Sequence, residues 1–120
     1  MAMRKAKRPA TRRKARRGAP PKLPKNAVTL AVILRAKEGQ EPLLEAELRA
    51  LIAPTRREEG CLTYDLHRAL EIPGAFLLHE VWATREHHRL HTKTPHFLRW
   101  DARKDALLAG RDATFWQQLA

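Results

Sequence analysis

Hydrophobic and polar positions along this chain switch between two periods. Val28–Arg35 (VTLAVILR) is β-branched and apolar at nearly every position, the pattern of a strand covered on both faces. After a turn at Lys37-Glu38-Gly39, Gln40–Glu59 takes helical spacing, with Leu44, Leu48, Leu51 and Ile52 at i, i+4, i+7 and i+8. Glu41, Glu45 and Glu47 lie early in it and Arg56 and Arg57 late, matching the helix dipole. Pro54 predicts a kink or the end of the regular helix, and Gly60 a cap. Leu62–Arg68 alternates, with Leu62, Tyr64 and Leu66 on one face and Thr63, Asp65 and His67 on the other. Pro73-Gly74 is a turn, so Ala75–Trp82 makes a hairpin with it. Here Phe76, Leu78, Glu80 and Trp82 share one face, and Leu77, His79 and Val81 the other. Thr84 caps a short helix to about His91, and Thr94-Pro95 opens a second helical piece to Ala109, ended by Gly110. Asp112–Leu119 is the last strand.

This order is β-α-β-β-α-β, an α+β ferredoxin-like fold occupying residues 27–120. A body of that size buries only ~60–65% of its unfolded surface, which favours pairing with a second copy. Residues 1–26 read differently. They hold 11 Lys and Arg, no Asp or Glu, and Pro9, Gly18, Pro20, Pro21 and Pro24 break any helix. Such a segment is expected to be a disordered basic tail. It has no aromatic residue for base stacking, so it suits at most a weak, nonspecific nucleic-acid contact through phosphates. A solubilising extension, or translation starting at Val28, are the other readings. The tail carries the whole net charge of +11: residues 27–120 balance 13 cations against 13 anions. A neutral body argues against a basic groove.

A single cysteine, Cys61, excludes an intramolecular disulfide scaffold and points to a reducing cytoplasm. No apolar run approaches the ~18 residues that span a membrane. The arginine pairs 12–13 and 16–17 lack the apolar stretch of an export signal.

Candidate chemistry gathers late in the chain. All six histidines lie between residues 67 and 96. His87 and His91 have the i, i+4 spacing of metal ligands, but no good third ligand accompanies them, so no metal is assigned. Glu80-x-Trp82 puts a carboxylate beside an indole on one strand face, with Phe76 and Leu78 behind. Under the helices that acid needs a partner, and His91 or His96 is the expected one.

The run Glu80-Val81-Trp82, Leu90-His91, Thr94-Pro95-His96-Phe97 resembles the antibiotic biosynthesis monooxygenase family, whose pattern is E-x-W, a spacer, then H-x-x-[ST]-P-H-[FM]. Ala53-Pro54-Thr55, Glu58-Glu59-Gly60-Cys61 and Tyr64 are similar to its quinol monooxygenase branch. The resemblance covers about residues 27–119. It implies a homodimeric α/β barrel with a pocket between each subunit's sheet and helices, and no cofactor. It implies His91 as general base, oriented by Glu80. It further implies a substrate pocket of Trp82, Tyr64, Phe76, His96 and Phe97.

The function expected from this resemblance is oxidation of a phenolic or hydroquinone-type small aromatic by O₂. The alternatives are an isomerase or other proton-transfer enzyme on the same scaffold, or a non-catalytic small-molecule-binding module with a nucleic-acid-tethering tail. Haem degradation, found in other branches, needs a first-strand Asn where this chain has Leu34-Arg35.

Overall fold

A computed structural model describes residues 23–120; the expected basic tail lies outside the described residues apart from its last four. The elements are β1 (Val28–Ala36), α1 (Glu41–Arg56), β2 (Cys61–Arg68), β3 (Ala75–Trp82), α2 (Arg85–His91), α3 (Pro95–Leu107) and β4 (Leu108–Trp116). The strands form one antiparallel sheet in the order β2-β3-β1-β4, the ferredoxin-like arrangement, with the helices on one face. Along that face Leu30, Val32 and Leu34 of β1 meet Phe76, Leu78 and Trp82 of β3, and α1 lowers Leu44, Leu48 and Leu51 onto them. Trp100 and Leu107 of α3 complete the core.

The helix starts follow from local chemistry. Thr84 Oγ1 accepts from His87 N at 3.1 Å, and Thr94 Oγ1 from Phe97 N at 3.3 Å. Pro42 and Pro95 sit in the first turns of α1 and α3, where no N–H is required.

Three expectations change. Pro54 lies inside α1, which ends at Arg56 rather than Glu59; a proline in the last turn removes a single intrahelical bond, and the chain then closes a tighter turn through Glu58 N to Thr55 O, 2.9 Å. That takes Glu58 off the helix surface. A register shift between Cys61 and Thr63 breaks the alternation of β2, so Leu62 is 45% exposed while Tyr64 is buried. β4 begins at Leu108, ahead of Gly110, so Gly110 does not end a helix but lies within the strand, opposite Arg35.

The sheet face turned away from the helices carries the other side of β1. Ile33 is 43% exposed there, with Ala31 half-buried beside it.

Candidate active site

Three turns of chain converge beneath α2 and α3. The early end of α1 turns Glu58 inward, α2 presents His91 from its last residue, and Thr94 begins α3 with His96 in its first turn. Glu58 Oε2 lies 2.8 Å from His91 Nδ1 and 2.6 Å from His96 Nε2. A carboxylate can only accept, so each imidazole donates to it. That fixes the His91 tautomer and leaves its Nε2 lone pair free.

The rest of the His91 ring is enclosed by aromatics. Trp82 lies 4.8 Å away centroid to centroid, Phe97 5.0 Å edge-on and Tyr64 5.6 Å edge-on. His91 is 1% exposed. Burial lowers its affinity for a proton below the ordinary imidazole value, although the Glu58 carboxylate works in the other direction. His91 is therefore a neutral base at physiological pH.

This ring forms part of the wall of a cavity of about 160 Å³. Its apolar lining includes Leu30, Val32, Leu34, Leu78, Phe97, Trp100 and Phe115; Tyr64, Glu80, His88, His91, Thr92 and Arg111 supply the polar groups. Arg111 and Ala113 of β4, both exposed, mark its open side. Burial pushes the Glu80 carboxyl up to about 7 and drives the Tyr64 phenol far above its usual range. His88 is pushed down to about 4, mainly by burial and then by the nearby His91, Arg85 and Arg111. Its ring stands edge-on to Phe115 at 5.1 Å.

Of the residues singled out in the sequence, Tyr64, Glu80, His91 and Phe97 line this cavity. Trp82, fully buried, packs behind His91 rather than on the cavity wall. His96 lies behind His91, on the far side of Glu58. Phe76 faces a separate groove beside Arg68, whose guanidinium lies 5.7 Å from its ring. The expected Glu80–His91 pair does not form. Glu80 Oε1 instead accepts from Trp82 Nε1 at 2.9 Å, because neighbours two apart on a strand share a face, and Glu58 takes the imidazole.

Sequence reasoning missed the roles of Glu58, His88 and Arg111. His88 carried a signal, standing three residues before His91 on one helical face. Arg111 was hidden by the misplaced start of β4.

His87 and His91, which share metal-ligand spacing in the sequence, do not converge on a common point. His87 hydrogen-bonds Thr84 Oγ1 at 2.9 Å and packs over Gly60. Among the described residues the set able to hold a metal is Glu58, His91 and His96, whose donor atoms lie within 4.8 Å of one another. The hydrogen bonds to Glu58 already account for that convergence.

A ferredoxin-like sheet with a histidine-bearing aromatic cavity under its helices defines a class of small α+β proteins. Within it, the chain belongs to the antibiotic biosynthesis monooxygenase family, whose model matches residues 27–103. It is 38% identical over 81 residues to a Mycobacterium tuberculosis protein named "Putative monooxygenase Rv0793", covering 66% of this chain and 79% of that one. The crystal structure of PA3566 from Pseudomonas aeruginosa superposes with TM-score 0.77 at 38% identity, over 80% of this chain and 97% of that one. A Nitrosomonas europaea family member, at 22% identity and TM-score 0.74, covering 78% of this chain and 91% of its own, shares the fold. No helix among the described residues is long and apolar enough to cross a membrane.

Proposed function

We propose that this chain is a cofactor-independent monooxygenase that oxidises a phenolic or hydroquinone-type aromatic with O₂ and works as a homodimer. One observation carries the reading: a buried neutral imidazole, held at Nδ1 by Glu58, lines a largely apolar cavity. His91 Nε2 takes the phenolic proton. The phenolate passes one electron to O₂, and the aryloxyl radical and superoxide combine at a ring carbon. Protonated His91 returns its proton to the peroxide. Loss of water, formed from the terminal peroxide oxygen and the hydrogen on that carbon, leaves a carbonyl. A hydroquinone and O₂ thus become a hydroxyquinone and water, all four electrons coming from the substrate. The apolar walls keep bulk water from the radical pair.

Oxygen-electrode traces with reduced quinones and phenols test this. Enzyme-dependent uptake should fall by ~10²–10⁴-fold in His91→Ala, the scale of a lost general base. Uptake equal with and without enzyme across the panel counts against it.

Glu80 favours a second reading. An acid able to hold a proton near neutrality faces the same cavity as the base, a pair suited to isomerisation by proton transfer. Turnover that persists without oxygen would select that chemistry.

The homodimer is supported by the uncovered sheet face around Ile33, which a second copy's sheet would bury.

A further inference from the structure

We infer that the substrate of this site is a single-ring hydroxyaromatic acid whose carboxylate is received by Arg111. The inference rests on the reading of His91 as a base for a phenolic hydroxyl, and adds the size and charge of the molecule that carries that hydroxyl.

Size comes first. An apolar protein cavity of ~150 Å³ holds one benzene molecule. The cavity beside His91 is about 160 Å³. Its interior takes one ring with small substituents; a further fused ring must either extend out past Arg111 and Ala113, away from the apolar walls, or push apart the core residues Leu34, Leu78 and Trp100. Those side chains are at most 4% exposed and close-packed, so that movement is costly.

Charge comes second. Arg111 is the one Lys or Arg in the cavity lining. An arginine there brings a planar cationic fork suited to a carboxylate. It enters no ion pair among the described residues, unlike Arg35, Arg49, Arg56, Arg68, Arg89 and Arg103. The two cavity histidines, His88 and His91, are neutral at pH 7, so nothing else there supplies positive charge.

The register gives the third element. Leu30 lies opposite both Glu80 and Phe115, and Leu34 opposite Arg111. Arg111 is therefore four residues, roughly 13 Å, along the sheet from the row that carries the acid. Its long side chain bridges part of this distance, near enough for its charge to act on Glu80 and His88. A ring with its hydroxyl at His91 directs an acid substituent to the open side of the cavity, where Arg111 offers bidentate N–H donors to a carboxylate. A neutral quinol makes no use of that cation.

Anaerobic calorimetric titration tests this apart from any turnover. The probes are hydroquinone, 2,5-dihydroxybenzoate, 1,4-dihydroxynaphthalene and 1,8-dihydroxyanthrone, each against the full chain and against Arg111→Gln and Arg111→Lys. The expected result is at least tenfold tighter binding of 2,5-dihydroxybenzoate than of hydroquinone (about 1.4 kcal/mol). That ratio should collapse to near one in Arg111→Gln and be partly kept in Arg111→Lys. The three-ring probe should not bind detectably. A ratio unchanged in Arg111→Gln, or a three-ring probe binding more tightly than a single ring, overturns the inference. Arg111 is exposed, so a thermal melt suffices to show that the variants fold. Oxygen uptake separates the two levels. Arg111-dependent binding of the acid without oxygen consumption leaves the ligand class standing and removes the monooxygenase reading. Rapid uptake with neutral quinols, and none with the acid, does the reverse.

Discussion

Glu58→Gln keeps the shape of the side chain and removes its charge, which makes it a sensitive probe of the site. In the native protein one carboxylate oxygen receives both His91 and His96. Charge-assisted hydrogen bonds contribute ~1.5–3 kcal/mol and neutral ones ~0.5–1.5, so each bond weakens by about 1 kcal/mol and the pair by about 2. For a body of this size ~4–8 °C of Tm accompanies each kcal/mol, giving a fall of roughly 8–16 °C. The effect on the base has a definite sign. Burial already holds the His91 pKa below its ordinary value, and the Glu58 bond and charge are what raise it. Removing that charge lowers the pKa further. A base works when deprotonated, so the acid limb of the pH–rate profile should move to lower pH, while the plateau drops about tenfold as the imidazole becomes less basic. An NMR titration of the His91 ring reads the same shift without needing a substrate. A titration that moves to higher pH, or an unchanged Tm, would refute the assignment of Glu58 as the group that holds His91.

Other outcomes follow from the same structure. Burial raises the Glu80 pKa to about 7, so the unfolded chain gives up a proton above about pH 4.5 that the folded one keeps. Glu80→Gln should therefore be more stable than wild type at pH 8, by up to about 3 kcal/mol, and converge with it below pH 4.5; denaturant titrations at both pH values check this. His88 and His91 act with the opposite sign. Their lowered pKa values mean that the unfolded chain takes up protons below about pH 6.5 that the folded one refuses, so their contribution to stability is lost as pH falls. His88→Phe should flatten that acid loss in thermal melts. Gly60 holds φ of +82°, and a Cβ there would collide with the His87 ring; Gly60→Ala should cost at least about 1 kcal/mol in a denaturant melt. Ile33→Asp, on the uncovered sheet face, should abolish the proposed dimer in sedimentation experiments.

The fold was legible because its elements announce themselves by period. The apolar run of β1, the leucines of α1 and the threonine caps of α2 and α3 each specify one local answer, and together they admit one topology. Boundaries were less legible where two signals compete. Pro54 and Gly60 both mark a helix end, and only packing shows that the chain turns at Arg56. The site was readable as far as single elements carry it. His91, Tyr64 and Phe97 stand at positions whose face follows from their own spacing. The partner of His91 could not be read that way. Glu58 is 33 residues away in sequence and becomes a partner only because α1 stops short. Glu80 looked like the partner because it is buried and acidic, but its own strand neighbour Trp82 reaches it first. Arg111 was left off the sheet because the last strand was read from Asp112, four residues after it begins.

The central claim is that His91 removes a phenolic proton so that O₂ can attack the ring. The most direct measurement is turnover of a reduced quinol under ¹⁸O₂, comparing wild type with His91→Ala. One labelled oxygen atom should appear in the hydroxyquinone product and the other in water, with the rate falling by ~10²–10⁴-fold in the variant. Unlabelled product, or His91→Ala turning over at the wild-type rate, would contradict it.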